Sequence, residues 1–182
     1  MILLTTSRRP TERIRTFCRD LAYSIPDVVR VNRGKMSLDG VGEKAIELDA
    51  DKIIIVDRWQ GGPGKISLFQ ISNGLKPVMP TMLLSNMRLK RELNERTSRI
   101  CASVITIAPN IPSALKQAAE SLSKFLHLPL LSLGDTVDCH RASLHFSVDS
   151  SQKLNATFML LGQLLEIGPR LTLSRLIWDG SS

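Results

Sequence analysis

The stretch that decides the fold is MILLTTSRRPTERIRTFCRDLAYSIP, residues 1–26. Its opening residues, MILLTTS, form an apolar run with the length of a short buried strand. Pro10 is placed to begin a helix and Pro26 to end it, since proline has no amide proton to donate inside a helix. Between them, apolar residues recur at spacings of three and four, which marks one face of a helix: Ile14, Phe17, Cys18, Leu21, Ala22 and Ile25. The stretch therefore predicts a strand followed by an amphipathic helix.

The second half of the chain repeats this arrangement. Its segment VITIAPNIPSALKQAAESLSKFLHLPLL, residues 104–131, again predicts a strand, a helix opened by a proline and a strand after a second proline. Pro112 lies 102 positions after Pro10, and Pro129 lies 103 positions after Pro26. Shared spacing with little shared identity indicates either an internal duplication, which we favour, or two independent strand-helix-strand units.

The sequence between these units predicts further strands and one more helix. A strand around residues 28–31, an amphipathic helix over 38–48, the apolar run KIIIVDRW at 52–59 and the strand KISLFQI at 65–71 complete the first half. In the second half, period-two alternation over 142–148 and 154–160 and a final strand over 171–177 predict an antiparallel meander.

These patterns predict an α/β fold of two pseudo-repeated halves, with mixed sheets flanked by helices. The boundary is expected near the polar segment NERTSR, residues 94–99. We therefore predict an N-terminal half of residues 1–98 and a C-terminal half of residues 99–182.

The excess positive charge lies entirely in the first half. Residues 1–100 contain 18 Lys and Arg against 11 Asp and Glu, residues 101–182 contain six against six, and the net formal charge is +7. This asymmetry is typical of a protein with a polyanionic partner, most often nucleic acid and less often an acidic membrane surface or protein. A solvated surface on a basic protein would give the same composition.

Compartment signals favour a soluble, cytoplasmic protein without a membrane partner. No apolar run approaches the roughly 18 residues of a membrane span, and the run at residues 2–4 is too short for a signal peptide. The cysteines Cys18, Cys101 and Cys139 are far apart and form no CxxC pair, so neither a disulfide set nor a zinc site is indicated.

Catalytic chemistry has no positive signal in the sequence. Cys139 and His140 are adjacent, which directs their side chains apart on any regular element. The glycine-rich GGPG at 61–64 lacks the Lys-Ser/Thr of a phosphate-binding loop and suits a hairpin turn. The remaining titratable candidates favour structural or solvated roles: His127, His145, Glu43 and Glu47. We therefore predict no enzyme activity, no metal and no cofactor.

Basic residues recur near the predicted ends of strands and helices, where side chains can converge. Arg8 and Arg9 stand at the mouth of the first helix, whose N-terminus already favours anions, and Arg13 and Arg15 follow within its first turns. With 4% aromatic residues, recognition would depend on phosphate and shape more than on base stacking. Further basic residues lie at other element ends: Arg33, Lys35, Arg58, Arg88, Lys90 and Arg91.

Several motifs, in their order along residues 2–178, resemble the Brix-domain family of ribosome-biogenesis proteins, with a close match to archaeal members. They are TTSRRPTERIRTFCRDL, VNRGKMSL, DADKIIIVDRWQGGPGKISLFQI, PTMLLSNMRLKREL and LLEIGPRLTLSRLIWDG. The resemblance implies binding of ribosomal RNA during subunit assembly, with other ribosome-assembly proteins as partners. It also implies two related α/β halves similar to the anticodon-binding domain of certain aminoacyl-tRNA synthetases.

The sequence is interpreted as that of a non-catalytic RNA-binding assembly factor for precursor ribosomal RNA. The alternative is a protein–protein adapter in RNA–protein complexes, whose basic face meets acidic partners. An enzyme would require a convergent cleft of titratable groups. The predicted RNA contacts are Arg8, Arg9, Arg13, Arg33, Lys35, Arg58, Arg88, Lys90, Arg91 and Arg170.

The stretch IGPRLTLSRLI, residues 167–177, carries its own predictions. Gly168 and Pro169 should mark a bend or bulge, because proline removes an amide donor and glycine permits unusual backbone angles. Arg170 is expected on the RNA surface. Period two places Leu171, Leu173 and Ile177 on one face of the final strand and leaves Arg175 in conflict with that apolar set.

Overall fold

The computed structural model describes residues 1–59, 62–93, 99–133 and 140–179. Cys139 and most of the predicted boundary segment lie outside the described residues. The helices are α1 (Glu12–Ser24), α2 (Leu38–Glu47) and α3 (Ser113–Leu126). The strands are β1 (Ile2–Thr6), β2 (Val28–Arg30), β3 (Lys52–Trp59), β4 (Gly62–Ile71), β5 (Leu75–Arg88), β6 (Val104–Ile107), β7 (Leu130–Ser132), β8 (Ala142–Val148), β9 (Leu154–Leu160) and β10 (Leu165–Ile177).

All ten described strands form one sheet in the order β2-β1-β3-β4-β5-β10-β9-β8-β6-β7. In the first half, β1 pairs in parallel with β2 and β3, and antiparallel pairing continues through β4 to β5. In the second half, β6 pairs in parallel with β7 and β8, and antiparallel pairing continues through β9 to β10. The antiparallel β5–β10 pair joins them. This order confirms the predicted α/β class with two repeated halves, whose strands share a single sheet.

Helices α1 and α3 lie on one face of the sheet and share a core. Phe17 and Leu21 of α1 are buried in the same apolar cluster as Leu122 and Phe125 of α3. Helix α1 contacts β10 as well as β1, and α3 contacts β5 as well as β6. Each helix therefore covers a strand of the other half, which makes the two halves one core. Helix α2 covers the opposite face of the first half.

The helix ends follow the sequence signals closely. Thr11 caps α1, since its Oγ1 accepts a hydrogen bond from the Ile14 amide at 3.3 Å. Pro10 stands just before this cap, and the helix ends before Ile25 and Pro26. Pro112 precedes the first residue of α3, and His127 ends that helix in the left-handed conformation, with φ of 54°.

The predicted bend at Gly168 is confirmed. The pairing of β10 with β9 shifts register between Glu166 and Arg170. A Cβ on Gly168 would lie 2.6 Å from Cβ of Phe158 and 2.8 Å from Oγ of Ser24. Glycine is therefore required where the bend brings β10 against β9 and the end of α1.

The predicted facing of the last strand is wrong after Leu173. A register shift against β5 lies between Leu173 and Arg175, where Ser174 Oγ donates to the Leu83 carbonyl at 3.1 Å. The shift leaves Arg175 exposed and brings Leu176, rather than Ile177, against the core. A bulge therefore removes the conflict that strict alternation created.

Candidate functional site

Three strand ends converge in the first half of the sheet. Strands β1, β2 and β3 are parallel neighbours, so their carboxyl ends lie at the same edge. In open α/β sheets, ligands bind outside such ends. The residues that end or follow these strands include five of the predicted cations: Arg8, Arg9, Arg33, Lys35 and Arg58.

These side chains line a cleft with two adjoining compartments, which we name the strand-end cleft. The larger compartment has a volume of about 770 Å³ and is lined by Ser7, Arg8, Arg9, Gly34, Lys35, Asp57 and Arg58. The smaller compartment has a volume of about 290 Å³ and is lined by Thr6, Ser7, Arg8, Pro10, Arg15, Arg30, Asn32, Arg33 and Gly34. Arg8 lines both compartments, so the structure brings the predicted strand-end cations into one site.

Hydrogen bonds between the loops hold the cleft in shape. Thr5 Oγ1 donates to the Val31 carbonyl at 2.8 Å, which ties the end of β1 to the segment after β2. The Ser7 amide donates to the Val56 carbonyl at 3.0 Å, which ties the same loop to β3. Gly34 has φ of +55° in open space, a left-handed conformation that glycine adopts without steric cost. The loops are therefore positioned by the sheet.

The strand-end cleft is almost uniformly cationic. Among the described residues, seven Arg and Lys side chains line it, against a single carboxylate, that of Asp57. Asp57 Oδ1 already accepts a hydrogen bond from the Arg58 amide at 2.6 Å. Within the described part of the chain, none of the seven cations forms an ion pair. The cleft therefore concentrates positive charge without neutralising it.

Repulsion between the positive side chains of the cleft affects the pKa of Arg33. Its pKa is lowered, first by burial and then by the charge of Arg8, while Asp57 opposes the shift. Arg33 Nε donates to the Met36 carbonyl at 3.2 Å, which holds the guanidinium in this unfavourable field. A bound anion would relieve the repulsion, and guanidinium groups bind phosphate oxygens through two parallel hydrogen bonds.

Three of the other predicted cations, Arg13, Arg88 and Arg170, are paired with carboxylates, and we name them the braced arginines. Arg13 donates from Nη1 to Glu92 Oε1 at 2.5 Å and from Nη2 to Glu92 Oε2 at 3.0 Å. Its Nη2 also donates to the Met87 carbonyl at 2.6 Å. This arginine thus fastens the first turn of α1 to the segment that follows β5.

The other two braced arginines meet at Glu166. Arg170 donates from Nε to Glu166 Oε1 at 3.0 Å and from Nη2 to Oε2 of the same carboxylate. Arg88 Nη1 lies 3.9 Å from Glu166 Oε2, and its Nε and Nη2 donate to the Glu92 carbonyl at 3.3 and 3.0 Å. The Glu166 side chain is only 17% exposed. These arginines therefore join β5 to β10.

Lys90 and Arg91 lie in a 3₁₀ turn, Lys90–Glu92, beside α1. The Lys90 amide donates to Asp20 Oδ2 at 2.8 Å. Burial raises the pKa of Asp20, although this hydrogen bond opposes the shift. The turn is thus anchored through its backbone, and the Arg91 side chain is exposed.

Sequence reasoning missed Arg30 and Asn32 as cleft residues. Arg30 ends β2, and its Nη1 donates to Asn32 Oδ1 at 3.4 Å. The signal that could have identified them is their position at the carboxyl end of a predicted parallel strand. Among the described residues, no group of three His, Cys, Asp or Glu side chains is placed to hold a metal, and no helix is long and apolar enough to cross a membrane.

Sequence comparison identifies archaeal relatives, although no protein-family model matches the chain. A probable Brix domain-containing ribosomal biogenesis protein of Aeropyrum pernix is 36% identical over 90 residues, which are 49% of this chain and 50% of that protein. The chain thus matches about half the length of that relative. A protein of the same description from Methanopyrus kandleri is 28% identical over 173 residues, 92% of this chain and 90% of that protein.

Solved structures extend the likeness over nearly the whole fold. The crystal structure of a probable ribosomal biogenesis protein from Aeropyrum pernix superposes with a TM-score of 0.68 at 25% identity, covering 97% of this chain and 98% of that one. An archaeal Imp4-like protein superposes with a TM-score of 0.62 at 21% identity, covering 96% and 97%. Sequence and fold together confirm the resemblance of this chain to the Brix-domain family of ribosome-biogenesis proteins, with archaeal members among its relatives.

Proposed function

We propose that this chain is a non-catalytic RNA-binding assembly factor that acts on precursor ribosomal RNA in ribosome biogenesis. On this proposal, residues 1–182 form one Brix domain with an N-terminal half of residues 1–98 and a C-terminal half of residues 99–182. It would work in the cytoplasm, with precursor ribosomal RNA and other assembly proteins as partners.

The observation that carries the proposal is the strand-end cleft. Its seven cations lie at one sheet edge without an ion pair among the described residues. A cluster of unneutralised arginines is unfavourable alone and becomes favourable when phosphates enter it. Six of the seven side chains are exposed and within reach of a large ligand: Arg8, Arg9, Arg15, Arg30, Lys35 and Arg58.

The proposed contacts of the strand-end cleft are with the phosphates of the RNA backbone. Arg8 lines both compartments, so successive phosphates on either side of it could each meet a guanidinium. Such contacts fix position and orientation but carry no sequence information directly. The cleft thus supplies affinity, and readout of sequence would come from another surface or from the RNA shape.

The experiment is a titration of precursor ribosomal RNA fragments with the purified full chain over a range of salt concentrations. With about five neutralised phosphates, log K should fall against log salt with a slope of roughly −3.5 to −4.5. A slope near zero, or no binding, would favour the adapter alternative. Crosslinking in cells followed by sequencing of the bound RNA would then identify the RNA site.

A further inference from the structure

The two halves of the sheet differ on the face opposite α1 and α3. In the first half, this face carries Leu3, Ile53 and Ile55, which are buried under Val41 and Ala45 of α2. In the second half, the corresponding face carries a chiefly polar set, and no helix of the described residues covers it. This set includes Thr106, Ser143, His145, Ser147, Asn155, Thr157 and Thr172. Equivalent positions in a repeated fold therefore have opposite chemistry.

One row of side chains runs straight across this polar face. Thr106 of β6 is the register partner of His145 in β8, which is the partner of Thr157 in β9. Thr157 is in turn the partner of Arg170 in β10, and Arg170 is the partner of Arg88 in β5. The row thus passes from neutral hydrogen-bonding groups to two braced arginines.

A groove of about 380 Å³ lies over this row, with His145, Thr157, Met159, Leu164, Glu166 and Arg170 among its lining residues. His145 and Thr157 are each only 7% exposed. Within the described chain, the Thr157 hydroxyl has no hydrogen-bond partner, and His145 uses only Nδ1, which lies 2.9 Å from Thr106 Oγ1. Buried polar groups normally have partners, because an unmade hydrogen bond there is costly.

The groove lining indicates what could supply those partners. Burial lowers the pKa of His145, so the imidazole is neutral near neutral pH and offers a hydrogen bond rather than a charge. Met159 and Leu164 add apolar surface, and Leu164 is 58% exposed. The lining also includes the carboxylates of Asp149 and Glu166. Asp149 already accepts hydrogen bonds from the Ser151 and Lys153 amides, and Glu166 is paired with Arg170. The neutral donors and acceptors beside the apolar wall match the edge and face of a nucleobase, and the volume falls within the range of small-molecule sites.

We propose that this groove, called the polar groove below, binds an unpaired nucleobase of the bound RNA through His145 and Thr157. The inference rests on the proposed function, because it assigns base contacts to the same RNA whose backbone the strand-end cleft holds. Arg170 and Arg88, at the end of the row, stay paired with Glu166 and hold that end of the groove in place. The second half would therefore read single-stranded RNA, while the first half supplies charge.

The test compares the full chain with Thr157→Val, which removes a hydroxyl and keeps the shape. Probes are single-stranded homopolymers of each base, about 12 nucleotides long, and an RNA duplex of equal length. We expect the wild type to prefer at least one homopolymer over the duplex. We expect Thr157→Val to reduce that preference about three- to tenfold, the range of one neutral hydrogen bond, without lowering the melting temperature.

The matched control is Thr172→Val on the same face. Its hydroxyl already donates to Asn155 Oδ1 at 2.9 Å, so this variant should lose stability and keep the homopolymer preference. A second readout is the imidazole NMR signal of His145. It should shift on addition of the preferred homopolymer and stay unchanged with inorganic phosphate.

Two results would overturn the inference while leaving the cleft proposal intact. One is equal wild-type affinity for the duplex and every homopolymer. The other is a Thr157→Val protein that keeps the full preference, which is also the result expected if a protein segment occupies the groove. Failure of the wild type to bind any RNA would instead remove the proposed function and this inference with it.

Discussion

The strand-end cleft and the braced arginines contain the same type of side chain in two different settings. In the cleft, seven cations share one carboxylate among the described residues. The braced arginines Arg13, Arg88 and Arg170 instead meet Glu92 and Glu166. An arginine that already pairs with a carboxylate of the protein mainly stabilises the structure. A cation without such a partner is available to bind a ligand. A basic residue in the sequence therefore indicates a binding role only when it is known whether a carboxylate of the protein already pairs with it.

The largest expected effect follows from removing positive charge from the strand-end cleft. Replacing Arg8, Arg9 and Arg58 together by glutamine should weaken RNA binding by at least about 100-fold, or about 2.7 kcal/mol, because hydrogen bonds to charged groups are strong. The melting temperature should stay unchanged or rise, since like charges are removed. Affinity by fluorescence anisotropy and melting by circular dichroism measure the two effects.

A matched charge control is available on α3 and α1. Lys116, Lys124 and Arg19 are exposed and lie outside the cleft, so their triple replacement by glutamine removes the same charge. This control should weaken RNA binding far less than the cleft variant does. Equal losses in the two proteins would mean that net charge, rather than the cleft, holds the RNA.

The next effect concerns the bend that positions Arg170. Gly168→Ala should destabilise the fold by about 1–3 kcal/mol through overpacking, which lowers the melting temperature by roughly 2–12 °C. The reason is the 2.6 Å approach of the new Cβ to Phe158. Gly162→Ala is the control, since nothing lies within 4 Å of its Cβ position. Similar melting temperatures for both variants would contradict the crowded bend.

A smaller effect separates two arginines on one helix. Arg13→Gln should cost about 1 kcal/mol, because its ion pair is partly exposed, and should lower the melting temperature by roughly 2–4 °C with little change in RNA affinity. Arg15→Gln, at the cleft, should weaken RNA binding and leave the melting temperature nearly unchanged. If Arg13→Gln weakens RNA binding as much as Arg15→Gln does, then Arg13 also serves as an RNA contact.

The smallest expected effect is a pH dependence of the stability that the Arg13–Glu92 ion pair contributes. The hydrogen bond from Arg13, followed by that from the Leu89 amide, holds the pKa of Glu92 below its ordinary value of 4.5. A depressed carboxyl pKa stabilises the fold above the unfolded-state value and loses that contribution as the pH falls through the folded-state value.

The stability difference between wild type and Arg13→Gln should therefore be full near neutral pH and shrink below 4.5. Asp20, whose pKa is raised by burial, titrates in both proteins and cancels in the comparison. Urea unfolding at several pH values measures the difference. A stability difference that stays constant at acidic pH would show that the charge of the Glu92 carboxylate contributes nothing to its interaction with Arg13.

Local signals predicted most of the fold. Pro10, Pro26 and Pro112 lie next to helix ends, and Gly168 marks a real bend, because backbone restrictions act within a few residues. The strand-end cleft was predictable in part, since parallel strands bring their carboxyl ends together. These features need only the order and direction of the elements.

Pairing across long sequence distances could not be predicted in the same way. Arg13 meets Glu92, which is 79 positions away, only because the turn after β5 returns to α1. The shift beside Arg175 depends on how β10 registers against β5, and alternation alone does not give that register. The polar groove likewise required knowing which face of the second half lacks a covering helix among the described residues.

The most direct test of the central claim is the salt dependence of RNA binding in two triple variants. One replaces Arg8, Arg9 and Arg58 by glutamine, and the other replaces the braced arginines Arg13, Arg88 and Arg170. Losing three phosphate contacts should make the slope of log K against log salt shallower by about 2 to 2.7 in the cleft variant and leave it unchanged in the other. A larger slope change in the braced variant, or equal changes in both, would contradict the account.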